Sequence, residues 1–146
     1  GEEDNYNASF GEIYERSTIA PSGYAFAIWG PIYTGWGLLI LYQALPSEWV
    51  PSRNDKLIFN DIGYIMTANM IANSSWFLFN SFNNSWFYNF GSFGSITFML
   101  ANSLYILYQA SKAEVDWFEL VAVRGTFSLY AGWLSAAIIL ATKGLL

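Results

Sequence analysis

Phe26, Trp29, Tyr33 and Trp36 follow one another at steps of three, four and three. That spacing sets four aromatic rings on one face of a helix. Such a face can stack against a flat or ring-shaped molecule; the same pattern also packs helices together and anchors them at a membrane surface. Asn69, Asn73, Trp76 and Asn80 repeat the pattern with amides. An amide row inside a bundle can hold the polar rim of a ligand or bond a neighbouring helix. Asn102 and Tyr105, then Tyr130 and Trp133, extend the theme. The chemistry open to these side chains is recognition by stacking and hydrogen bonding. No Ser/His/Asp set, paired carboxylates, phosphate-binding glycine loop or metal cluster is visible. The chain has no His and no Cys. That removes the commonest haem, zinc and copper ligand, the commonest general base and any thiolate. No catalytic residue and no metal ligand is assigned.

The elements that must position these residues are defined by where charge is missing. Residues 62–111 contain no Asp, Glu, Lys or Arg, and 17–47 and 125–142 are equally bare. A helix crossing ~30 Å of hydrocarbon needs about 20 mostly apolar residues. Lipid cannot satisfy bare backbone groups, so spanning segments are helices or a closed barrel, and a barrel would alternate apolar and polar residues. The continuous apolar runs predict an all-α integral membrane protein, an antiparallel transmembrane helix bundle. Four spans are expected at about 21–45, 57–80, 86–110 and 117–145, in one unit covering 21–146. Residues 1–20 read as an acidic arm outside the membrane.

Several details follow. Pro31 predicts a kink near Ile28–Pro31. Gly30, Gly35 and Gly37, and the pairs Ala131 with Ser135 and Gly132 with Ala136, offer close helix approaches. Asp61 and Arg124 reach the same membrane boundary, either pairing or marking where each helix leaves lipid. The loops holding Arg53, Lys56 and Lys112 share one side, which the positive-inside rule places in the cytoplasm or matrix. Leu104, Tyr108 and Lys112 fit a loose cholesterol-contact pattern. The net charge of −5 and the lack of a basic stripe argue against nucleic acid as a partner.

Three segments resemble a known family in order and spacing. Pro21-Ser-Gly-Tyr-Ala-Phe-Ala-Ile-Trp-Gly-Pro-Ile-Tyr33 is similar to the first conserved segment of the tryptophan-rich sensory protein / translocator protein family (TspO/MBR). Asn73-Ser-Ser-Trp76 followed by Phe77-Leu-Phe79 looks like its Asn-x-x-Trp segment, and Phe127-Ser-Leu-Tyr130-Ala-Gly-Trp133 like its last-helix Tyr-x-x-Trp segment. The resemblance covers roughly residues 20–142. Ala20-Pro21-Ser22 replaces the usual Trp-x-Pro-Pro, Thr126 replaces a usual proline, and the Asn usual near Ile138–Ala141 is missing. The sequence therefore sits with a divergent branch. Members typically have five spans, which implies a further N-terminal span before Gly1 or a branch with fewer.

The resemblance implies a non-enzymatic protein binding or carrying a planar apolar ligand, a tetrapyrrole or other pigment, or a sterol-like lipid, in an aromatic pocket. Carried over by position, that pocket uses Phe26, Trp29, Tyr33, Asn73, Trp76, Tyr130 and Trp133. It also implies a bacterial-type inner membrane or an organellar one, mitochondrial or plastid, with membrane lipid and either other membrane proteins or a second copy as partners. The rival reading is an accessory subunit of a large respiratory or photosynthetic complex, with lipid in place of a specific ligand. A tetrapyrrole-degrading enzyme is a third reading, disfavoured because no acid–base group lies among the pocket positions.

Overall fold

The computed structural model describes residues 23–81 and 86–145, apart from the side chains of 24–26, 80 and 143–145. The acidic arm lies outside the described residues. Among those described, all regular structure is helical. A 3₁₀ segment, Gly23–Ile28, leads into α1 (Trp29–Ala44). A π-helical segment, Lys56–Asp61, leads into α2 (Gly63–Ser81). Next come α3 (Trp86–Lys112), the single turn α4 (Trp117–Glu119), a second π-helical segment (Leu120–Gly125) and α5 (Thr126–Leu145). Four helical runs lie in the four expected ranges. Two of them, Trp86–Lys112 and Trp117–Thr142, are long and apolar enough to cross a membrane.

Polar side chains lie inside the bundle and large apolar ones outside it. Asn69, Asn73, Ser103 and Thr126 are buried, while Leu41, Ile71, Phe77, Leu78, Val121 and Ile139 point outward. A chain folded in water rarely exposes so much contiguous apolar surface. Outward hydroxyls are satisfied without water. Thr34, Thr67, Ser74, Ser75, Ser81, Thr97 and Thr142 each donate to the carbonyl four residues back. This is the arrangement a hydrocarbon solvent requires.

Helix α5 packs against both α1 and α3, and α3 against α2. Of the three glycines on α1, only Gly35 makes a close approach. A Cβ there would lie 2.1 Å from Thr126 Oγ1. Gly30 and Gly37 have nothing within 4 Å. Gly132 is likewise open, and Ser135 and Ala136 are exposed, so the small residues expected to pack on α5 face outward apart from buried Ala131. Pro31 lies in the first turn of α1, directly after the 3₁₀ segment, and offers no N–H to that preceding turn. The helix changes from 3₁₀ to α at Ile28–Trp29, where the kink was expected.

The loops 45–55 and 113–116 share one end of the bundle, as expected, and charged side chains tie that end shut. Arg53 is buried and donates through Nη1 to the Tyr42 and Leu45 carbonyls, both at 2.8 Å, closing the C-terminus of α1. Arg124 does the same for α3, with Nη2 2.7 Å from the Ala110 carbonyl. Both cations sit where the helix dipole is negative. Asp116 caps α4, accepting from Glu119 N at 2.7 Å, and Asn54 Oδ1 accepts from Leu57 N at 3.1 Å. Glu119 is fully buried; its Oε1 accepts from Asn54 N at 2.7 Å and Tyr42 Oη at 3.0 Å. Asp61 and Arg124 do not pair: Asp61 meets Lys56 at 3.3 Å, five residues back across the π turn. An α-helix brings residues three and four apart together, so that contact depends on the wider turn.

Candidate functional site

Away from the charged end, α1, α2 and α5 turn their aromatic faces toward one another. The Trp29 ring lies 5.4 Å from Tyr33, 6.0 Å from Trp76, 6.0 Å from Tyr130 and 6.3 Å from Trp133. The first two contacts are stacked and the last two edge-on, the geometries favoured by ring quadrupoles. Three widely separated segments therefore meet at one tryptophan. The helical spacing of Trp29 with Tyr33, of Asn73 with Trp76, and of Tyr130 with Trp133 makes this possible.

A polar seam runs beneath the rings. Tyr33 Oη donates to Asn73 Oδ1 at 3.2 Å, and Tyr130 Oη to Asn69 Oδ1 at 3.2 Å. Asn69 Nδ2 in turn donates to Ser103 Oγ at 3.3 Å, and Met99 Sδ lies 2.9 Å from Tyr130 Oη. Four buried side-chain donors inside the bundle have no partner: Trp36 Nε1, Asn73 Nδ2, Trp76 Nε1 and Asn102 Nδ2. A buried donor left unpaired costs about 1–3 kcal/mol, so the seam is stable in spite of them.

Of the positions singled out in the sequence, Trp29, Tyr33, Asn73, Trp76, Tyr130 and Trp133 all enter this cluster. The side chains of Phe26 and Asn80 lie outside the described residues. Tyr105 does not join; it is 43% exposed on the outer face of α3. Leu104 and Tyr108 are also on that face, with Lys112 Nζ 4.0 Å above the Tyr108 ring.

Trp36 belongs to the cluster although the family comparison of motifs did not carry it. Its ring is 4.9 Å from Tyr130 and 5.5 Å from Tyr33. The step of three from Tyr33 was the signal. Met99 and Ser103 gave none, because an unbranched apolar residue and a serine are ordinary on any membrane helix. Phe127, which opens the last of the three family-like segments, is fully buried behind Trp36 and Tyr130.

The sequence profile of the TSPO-like protein family matches residues 5–146. The chain belongs to that family. Comparison with curated proteins and with solved structures returned no match. Membership agrees with a membrane helical fold, and with the two span-length helices it marks this TSPO-like chain as a membrane protein. All three motif segments fall within the matched range.

The rings contact one another directly, and Trp29 touches every other arm of the cluster. The site also tests what a guest can be. Among the described residues, no three Asp, Glu, His or Cys side chains gather as a metal would need. The sulfur of Met99 lies 2.9 Å from the Tyr130 hydroxyl oxygen. Stacking surface and N–H donors are what the site offers.

Proposed function

We propose that this TSPO-like chain is a non-enzymatic, four-span membrane protein that binds or carries a planar apolar ligand, a tetrapyrrole or a sterol-like lipid, among Trp29, Tyr33, Asn73, Trp76, Tyr130 and Trp133. The carrying observation is the convergence of α1, α2 and α5 on Trp29, with ring centroids between 5.4 and 6.3 Å. Packing alone is achieved more simply with aliphatic side chains, as it is around fully buried Ile32, Leu39, Ile62 and Ile106. The aromatic site differs by joining stackable faces to unpaired donors. The absence of His from the chain fits retention by stacking and polar contact. Entry of the guest moves Trp29 from between Tyr33 and Trp76 and replaces ring–ring contacts by ring–guest contacts.

The test is a titration of the detergent-purified protein with a metal-free porphyrin and, separately, with a fluorescent sterol, followed by quenching of tryptophan emission. The expected result is saturable one-to-one quenching by one of the two. It should weaken by about tenfold or more in Trp76→Ala, which removes a stacking face. Linear quenching without saturation by both probes, or affinities untouched by Trp76→Ala and Trp133→Ala, would refute the reading.

A further inference from the structure

The buried carboxyl group at the loop end is only half satisfied by its neighbours. Glu119 has no exposed surface, and its Oε2 has no hydrogen-bond partner. Its Oε1 accepts from Asn54 N at 2.7 Å and from Tyr42 Oη at 3.0 Å. The same Tyr42 hydroxyl lies 3.3 Å from Asp116 Oδ2, which also accepts from Ser52 Oγ at 2.9 Å. A hydroxyl has one proton, so Tyr42 serves only one of the two carboxylates that reach it. A buried carboxylate is ordinarily paired with a cation or coordinates a metal. Among the described residues, no basic side chain takes that part. Arg53 is held by Asp55 and by the Tyr42 and Leu45 carbonyls, and Arg124 by the Ala110 carbonyl. Lys56 meets Asp61, and Lys112 lies over the Tyr108 ring. Asp116 also lines an open hollow, together with Ser52, Asn54, Glu114 and Val115.

We propose that Asp116 and Glu119 form a site for a hard divalent cation of the calcium type, completed by Ser52 Oγ, Tyr42 Oη and water from the hollow. Two carboxylates that share one proton donor match a doubly charged ion, and the unpartnered Glu119 Oε2 gains the partner that the protein does not supply. The ligands are all oxygen, which suits a hard cation rather than zinc or copper. Calcium takes about six to eight oxygens in flexible geometry, waters among them. That tolerance matters here, because the site lacks the three acidic, His or Cys side chains of a compact metal cluster. Asp116 Oδ1 stays on Glu119 N, so the cap of α4 persists with the ion bound. The ion ties three segments together: Tyr42 near the end of α1, Ser52 in the loop 45–55, and the 116–119 turn that leads toward α5. The site is a clamp on the loop end, separate from the aromatic cluster.

The test uses the full chain in detergent after treatment with a chelator. Terbium, a luminescent stand-in for calcium, is titrated in and then displaced with calcium; Trp117, next to Asp116 in the chain, is the sensitiser. Thermal unfolding is followed alongside, in calcium chloride and in sodium chloride of equal ionic strength. The wild type should bind calcium with a Kd of about 0.1–1 mM, the range of weak all-oxygen sites. About 10 mM calcium should then shift the folding equilibrium about ten- to hundredfold and raise the midpoint. Glu119→Gln keeps the side chain's shape and the acceptor for Tyr42 and Asn54 while removing the charge. Asp116→Asn keeps a good N-cap. Each should weaken calcium binding at least about tenfold and remove most of the calcium-dependent rise, while Glu119→Gln keeps its midpoint in chelator. A merely structural role would lower the midpoint in chelator and leave the calcium response intact. Absence of a saturable terbium signal in the wild type overturns the proposal. So does a midpoint that calcium and sodium chloride move alike, or a calcium response unchanged in both variants.

Discussion

Gly35→Ala should damage this bundle although it adds a single methyl group. The new Cβ would meet Thr126 Oγ1 at 2.1 Å, Cγ2 at 2.6 Å and Cβ at 2.9 Å. Carbon atoms prefer about 3.5–4.0 Å, so α1 and α5 must separate by about 1.5 Å at this crossing. Rotating Thr126 does not relieve the contact, since its own Cβ is part of it and a β-branched side chain has few rotamers on a helix. Overpacking of this kind costs about 1–3 kcal/mol. Gly37→Ala is the internal control. Nothing lies within 4 Å of that position. There the methyl group should be neutral or stabilise by up to about 1 kcal/mol through helix propensity. Thermal unfolding in detergent, followed by tryptophan fluorescence, separates the two. The separation also draws Trp36 away from Tyr130, now 4.9 Å apart, so Gly35→Ala should shift native emission as well. Adding Thr126→Ala removes the two shortest contacts and should recover part of the loss. Equal midpoints for Gly35→Ala and Gly37→Ala would refute the close approach of α1 and α5.

Other outcomes follow from the polar contacts. Tyr130→Phe removes the proton that Asn69 Oδ1 accepts and should destabilise by about 0.6–2 kcal/mol, read as a lower unfolding midpoint; no change would mean the seam is not formed. Arg53→Lys replaces a fork that reaches Tyr42, Leu45, Ser47 and Asp55 by a point charge, and should cost about 1–3 kcal/mol in the same assay, with an unaltered midpoint counting against the cap. Asp55 is held below the ordinary carboxylate range, first by its hydrogen bond from Arg53. A depressed carboxyl stabilises fully above its unfolded value of about 3.9 and loses that contribution as pH falls through its folded value. The midpoints of wild type and Asp55→Asn should therefore differ at pH 6 and draw together as pH falls below the unfolded value of about 3.9, and a gap that stays constant through acid would sink the assignment.

How much of this was legible in the sequence depends on whether a feature is local. Charge spacing located the helical runs because a helix in lipid excludes charge along its whole length, and Glu48, Asp61, Lys112 and Arg124 bound the bare runs. The aromatic cluster was legible because its members recur at helical steps on their own segments. Which glycine meets a neighbour was not legible. Gly30, Gly35 and Gly37 are alike in sequence, and only the crossing with Thr126 distinguishes Gly35. The same holds for Gly132, which looked like a packing residue and is open. Asn102 and Tyr105 share a face to within about 60° at three residues' separation, yet Asn102 Nδ2 is buried and Tyr105 faces outward, because the edge of a face is set by the partner helix. The π turns and fully buried Glu119 had no signal at all: both arise from the way 45–55 and 113–120 meet, contacts between residues some 60 positions apart.

The two ends of the bundle are stabilised by different physics, and that difference bears on where the bundle can open. At the loop end, two arginines, Asp116, Asn54 and Glu119 are fixed by directional hydrogen bonds to backbone and side chains. Breaking any of them strands a buried polar group, so that end resists opening. The Gly35–Thr126 approach holds the middle of α1 against α5. What remains adjustable is the first part of α1, where a six-residue 3₁₀ segment precedes Trp29. Runs of 3₁₀ helix longer than three or four residues are uncommon and mark strain or a hinge. The ring contacts made by Trp29 are weakly directional, each worth about 0.5–1.5 kcal/mol beyond area, and a stacked guest can replace them in kind. The hydrogen bonds at the charged end cannot be replaced in that way. Opening at Trp29 is thus the low-cost motion of this fold, and it exposes the unpaired donors of Asn73 and Trp76.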